Sequence, residues 1–209
     1  YSDWSADALM ATDGNGIDFR LTWNSTHLFV GWDGTDWKSI DEGADLFVYL
    51  NTSEGGSILS RDWGFAHTLP FAADHGFVLE DDTYFQHVAY DGSAWTDQST
   101  EVELYAGWSG NQATELSLPW TALGQPTGFD IVVYAQWQDG GNVWASFPMQ
   151  NPASNNGAET FTHAWHAENI SNVTSPQQLP IIESGGVEKV DNALNLAIVF
   201  HQHQPYYKN

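Results

Sequence analysis

Short apolar–polar alternations, each closed by a turn, are the feature that most limits what this chain can fold into. Asp18-Phe-Arg-Leu-Thr-Trp23 puts Phe19, Leu21 and Trp23 on one side and Asp18, Arg20 and Thr22 on the other. That is a period of two, the period of a strand with one buried face. Asn24-Ser-Thr26 supplies a turn and His27-Leu-Phe-Val-Gly-Trp32 returns, so the pair reads as a hairpin. Asp45–Leu50 is a third strand, closed by the Gly-rich Asn51–Gly56. Further strands are expected at Trp63–Thr68, Gly76–Glu80, Thr83–Tyr90, Glu101–Trp108, Ala113–Leu118, Phe129–Gln138 and Val143–Phe147. Asp91-Gly92 and Asp139-Gly-Gly-Asn142 are the turns among them. Only Pro119–Gly124 reads as a helical turn, opened by proline and closed by glycine. The pattern predicts an all-β chain: an antiparallel β-sandwich of immunoglobulin or jelly-roll type with an extra C-terminal strand.

The chain divides by composition. Residues 1–174 carry the sandwich pattern, and 175–192, with Pro176, Pro180 and Gly185-Gly186, read as linker. Residues 193–209 open with the apolar run Ala193–Phe200, which fits a strand buried on both faces and differs from the alternation before it.

Charge narrows the partners. The 27 acidic residues face only 5 basic ones, a net charge of −22, yet charged residues are only 15% of the chain. An ordinary domain has about 25%, so missing bases, not surplus acids, make the imbalance. Nucleic acid and anionic membranes are thereby disfavoured, and no apolar run is long enough to span a bilayer. Few bases also leave little cationic charge to repel itself in acid, so an acid-tolerant surface is expected. There is no cysteine, hence no disulfide or thiolate site. Sequons at Asn24, Asn51, Asn169 and Asn172 suggest glycosylation and an extracellular or cell-surface setting.

Leu196-Ala-Ile-Val-Phe-His-Gln-His-Gln-Pro-Tyr-Tyr207 closely resembles the opening of glycoside hydrolase family 57 catalytic domains, which include amylases and amylopullulanases. His203-Gln204-Pro205 matches the family's His-Gln-Pro motif. The resemblance implies catalytic carboxylates on later strands, which this chain lacks, so no hydrolase activity is expected. The Trp23…Leu28-Phe-Val hairpin, Asp45–Asn51 and Thr114-Glu-Leu-Ser-Leu-Pro-Trp-Thr-Ala-Leu-Gly124 resemble carbohydrate-binding module family 9 and the DOMON superfamily. That likeness implies a non-catalytic sandwich accessory to an amylolytic hydrolase, holding a glycan such as an α-glucan.

Eleven tryptophans suit such a role, because indoles stack on the apolar faces of pyranoses. Trp23 and Trp32 alternate into the core and Trp120 reads as a plug behind its proline, whereas Trp37, Trp108, Trp144 and Trp165 lie in or beside loops and are the candidate sugar platforms. Asp33, Asp36, Asp41 and Asp45 crowd one loop and could hold Ca²⁺, unless they are simply solvated; Asp13–Asp18 is a second acidic loop without full EF-hand spacing. His201 and His203 share one side of a strand but have no third ligand. An alternative role follows from the C-terminal strand: Leu194, Leu196, Ile198 and Phe200 could add to a neighbouring copy and join subunits into a filament.

Overall fold

The computed structural model describes residues 4–13, 16–33, 44–79, 84–98, 105–109, 113–137, 142–153, 157–172, 179 and 181–184. The strands in chain order begin with β1 (Leu9–Thr12), β2 (Asp18–Trp23), β3 (His27–Asp33), β4 (Ala44–Asn51) and β5 (Ser57–Leu59). Then come β6 (Thr68–Ala73), β7 (His75–Leu79), β8 (Phe85–Tyr90), β9 (Trp95–Asp97) and β10 (Tyr105–Ser109). The series ends with β11 (Ala113–Pro119), β12 (Gly128–Trp137), β13 (Val143–Phe147), β14 (His163–Glu168) and β15 (Ile181–Glu183). A five-stranded sheet has the order β1-β2-β3-β11-β10, and an eight-stranded sheet runs β15-β14-β12-β4-β7-β8-β9 with β13 also on β12. β5 and β6 form a small third sheet. All the ladders between these strands are antiparallel, and the molecule is an all-β sandwich.

The main core lies between the five- and eight-stranded sheets. Phe19, Leu21 and Trp23 of β2 and Leu28, Val30 and Trp32 of β3 meet Leu46, Val48 and Leu50 of β4 and Ile131 and Val133 of β12. Each such side chain, fully buried, is worth about 1.5–3 kcal/mol of transfer free energy. The intervening residues of β4 and β12 are buried as well. Phe47, Tyr49, Val132 and Tyr134 form a second core with Leu69, Phe71 and Phe161 on the opposite face of the large sheet. β4 and β12 are therefore covered on both faces, which explains the unbroken runs Leu46–Leu50 and Ile131–Ala135. Apolar continuity is thus a property of the sandwich's central strands and does not set Ala193–Phe200 apart; that segment lies outside the described residues.

Some boundaries differ from expectation. The strand expected at Trp63–Thr68 begins only at Thr68 and continues through Pro70 to Ala73. Proline is tolerated there because this small sheet consists of two strands, both of them edges. Ile181–Glu183, within the stretch read as linker, pairs with β14. Trp120–Leu123 is the expected helical turn, ended by Gly124 at φ +75°. Trp120 plugs the end of the sandwich and donates its indole N–H to the Asn24 carbonyl at 2.8 Å.

Candidate functional site

Among the described residues, the outer face of the five-stranded sheet carries a cavity. The alternation that sends Phe19, Leu21 and Trp23 inward sends Asp18, Arg20 and Thr22 outward. Register lines Thr22 up with Phe29 of β3 and Phe29 with Ser117 of β11. The next row is Arg20, Gly31 and Glu115. Trp4, from the segment before β1, reaches this face and donates its indole N–H to Glu115 Oε1 at 2.5 Å. Trp4, Ser5, Thr22, Phe29, Glu115 and Ser117 line a cavity of about 520 Å³. Phe29 continues as a stacked pair with His27, centroids 5.8 Å apart. Arg20 stands beside it, paired with Asp18 at 3.0 Å.

An indole and a phenyl ring border a carboxylate and three hydroxyls here. Aromatic faces take apolar C–H surfaces, and the carboxylate and hydroxyls take ligand hydroxyls. The indole bond fixes the Glu115 side chain and holds Trp4 against the sheet.

The structure distributes the residues nominated from sequence widely. Trp165 is 3% exposed, with its ring 5.0 Å from Phe19, so it is a core residue and no surface platform. β14 turns it inward opposite Ile131. Trp144 is half-buried, 6.2 Å from Trp137. Trp37 and the Trp108 side chain lie outside the described residues. Asp36, Asp41 and the Asp33 side chain do so too, and Asp45 is 9% exposed on β4.

In the other acidic loop the carboxylates serve the turn: Asp13 Oδ1 accepts from Ile17 N at 2.8 Å, and Asp18 Oδ1 accepts from the Thr12 hydroxyl at 2.6 Å. Among the described residues no group of three or more His, Asp or Glu could hold a metal ion. No described helix is long and apolar enough to cross a membrane.

Of the sequons, Asn24 is exposed and its side-chain oxygen caps its own turn through Thr26 N and His27 N. Asn169 is exposed at φ +54°. Asn51 Nδ2 donates to Asp130 Oδ2 at 2.9 Å, and Thr52 and Ser53 both donate to Asp74. The Asn172 side chain and Leu194, Leu196, Ile198 and Phe200 lie outside the described residues.

Histidines supply the clearest electrostatic features, although from sequence only His201 and His203 stand out. His67 is fully buried, its Nδ1 accepting from Glu159 N and its Nε2 bonded to Gln136 Oε1. Burial lowers its pKa. His75 Nδ1 and His87 Nε2 lie 3.0 Å apart. Burial first, then the charge His75 would carry, pushes His87 down to about 3. His166 is the opposite case: its bonds to Asp130 and then Glu168 raise it to about 9 against a smaller loss from burial.

No family model, curated protein or solved structure matches the chain.

Proposed function

We propose that this chain is an extracellular, non-catalytic module that holds a neutral saccharide on the outer face of its five-stranded sheet. The observation that carries the reading is the Trp4–Glu115 hydrogen bond at the rim of a cavity whose other walls are Phe29, Thr22, Ser117 and Ser5. A pyranose offers a hydroxyl rim and an apolar face, and that cavity offers a partner for each. The net charge of −22 favours a neutral glycan, since a polyanion would be repelled on approach. The likeness of residues 196–207 to the opening of an amylolytic hydrolase makes α-glucan the first ligand to try. The same likeness makes the module's role an accessory one.

Affinity electrophoresis in gels containing starch, and in parallel gels containing a β-linked glucan, tests the reading. Retardation is expected in at least one of them. Trp4→Ala and Glu115→Gln are expected to weaken it by about tenfold, the equivalent of about 1.4 kcal/mol. Unretarded migration in every neutral polysaccharide, or retardation unchanged by both substitutions, would sink the assignment of this face.

A further inference from the structure

We infer that the molecule has a second saccharide-binding face on the far side of the eight-stranded sheet, built from Trp63, Arg61, Gln86, Asp97, Tyr84 and Trp95. Register puts these groups on one surface. Phe47, Val78 and Gln86 form one row across β4, β7 and β8. Tyr49, Gly76, Val88 and Asp97 form the next. Phe47 and Tyr49 belong to the second core, so Gln86 and Asp97 stand on that same side where the rows run out to the sheet edge.

The polar groups form a chain. Arg61 lies 4.6 Å over the Trp63 ring and donates from Nη1 to Gln86 Oε1 at 2.7 Å. The Tyr84 hydroxyl donates to the same oxygen at 3.0 Å, and Gln86 Nε2 donates to Asp97 Oδ2 at 2.9 Å. Beside them Trp95 is pinned by its indole N–H to the Leu59 carbonyl at 3.1 Å and by an edge contact to Tyr49. Trp63 and Trp95 are each half-buried, held from below by the second core.

Held aromatic rings beside a fixed row of planar donors and acceptors suit a hydroxyl-rich ring, for the same reason as on the first face. The distribution of bases points the same way. The chain has only 5 Lys and Arg, and among the described residues the two are Arg20 and Arg61, one on each face. Each is close to a carboxylate: Asp18 directly for Arg20, Asp97 across one amide for Arg61. Each face thus carries one base in a strongly anionic molecule, which lessens the local negative charge and fits a neutral ligand. With one site on each side of the sandwich, the module would tie separate glycan chains together and gain avidity on an insoluble polymer.

The inference rests on the reading of the chain as a saccharide binder, but its residues are separate. The test is titration of the full ¹⁵N-labelled chain with maltoheptaose and, separately, cellohexaose, following the indole N–H signals of Trp4, Trp63 and Trp95. One of these sugars is expected to shift all three. In a Gln86→Ala/Asp97→Ala variant the Trp63 and Trp95 responses should weaken by about tenfold or more while that of Trp4 persists. Trp63→Ala is the less suitable variant, because Trp63 also packs on Phe47 at 5.5 Å. If Trp4 alone responds, the second face is overturned and the first stands. If Trp63 and Trp95 alone respond, the second face stands and the assignment of the first is wrong. Silence at all three with both sugars removes both. Unchanged Trp63 and Trp95 responses in the double variant would also overturn the second face.

Discussion

His166 shows how much one side chain can depend on its row. β12 sets Asp130 opposite both Asn51 and His166, and Glu168 follows two residues along β14. The imidazole lies between two carboxylates, at 2.6 Å from Asp130 and 3.0 Å from Glu168. Its pKa is raised from 6.5 to about 9 in the fold. A raised value means that the folded state holds the proton more tightly, so the contribution to stability is complete below 6.5 and fades as pH rises toward 9. Urea midpoints measured across that window should therefore fall in the native chain, and the fall should shrink in His166→Gln. An equal slope in both proteins would remove His166 from the account. Neither this cluster nor the Trp4 site was legible in the sequence, for a common reason. Trp4 and Glu115 are 111 positions apart, and Asp130 and His166 are 36 apart. Their meeting depends on strand order, which local periodicity does not encode. Glu115 was nonetheless in plain view, within the Thr114–Gly124 segment that carried the likeness to carbohydrate-binding modules.

At the scale of elements, periodicity guides the reading of most strands with one face on a core, β6 being the exception, since its alternation over Thr68–Ala73 starts later than the expected strand. β2, β3 and β11 lie where alternation put them, and so do the central strands β4 and β12. The strands that went unread are β1, β5, β9, β14 and β15. Three of these, β5, β9 and β15, have three residues each, too few to show a period. β14, His-Ala-Trp-His-Ala-Glu, hides its pattern because its alanines fall on opposite faces, Ala164 toward the second core and Ala167 beside Trp165 toward the main core, while His163 shares the Trp165 side and breaks its apolar run. That concealment is why Trp165 reads from sequence as a loop platform. Close strand pairing also explains a sequence choice. At Gly128 a Cβ would sit 2.4 Å from the Ala167 carbonyl oxygen, where β12 and β14 begin to pair. Backbone cannot yield as a side chain can, so Gly128→Ala should cost roughly 1–3 kcal/mol or more. Gly76→Ala meets the ring of Tyr49 at 2.7 Å instead. That ring is fully buried and supports Trp95, so the substitution should both destabilise the fold by a similar amount and disturb the second face. Chemical denaturation checks the first effect and the Trp95 indole signal the second; native-like values in both variants would mean that the two ladders are looser than described.

For the whole molecule, the shortage of bases suggested tolerance of acid, and the interior argues the other way. As pH falls, the self-repulsion of a chain with net charge −22 is relieved, which favours the compact state. Against this stand His67, His75 and His87, all lowered from 6.5 chiefly by burial. A lowered histidine is neutral in both states above 6.5; below it the unfolded chain takes up a proton that the fold refuses, and stability drops until the folded value is reached. For His87 that window runs from 6.5 to about 3, and the loss is on the order of a few kcal/mol, a large part of a typical 5–15 kcal/mol total. His67 adds a geometric cost, because protonating Nδ1 would cancel its acceptance of the Glu159 N–H at 2.9 Å. Protonating His75 and His87 together would set two charges 3.0 Å apart. The buried imidazoles should therefore prevail over surface relief, and the urea midpoint of the native chain should fall steadily from pH 6.5 toward 3. His87→Phe keeps a ring in the stack on Phe77, where the centroids are 4.5 Å apart, and removes the titration. Its midpoint should start lower, for want of the His75 bond, and decline less steeply. A native midpoint that held level across that range would show that charge relief outweighs the buried histidines and would restore the acid tolerance expected from composition.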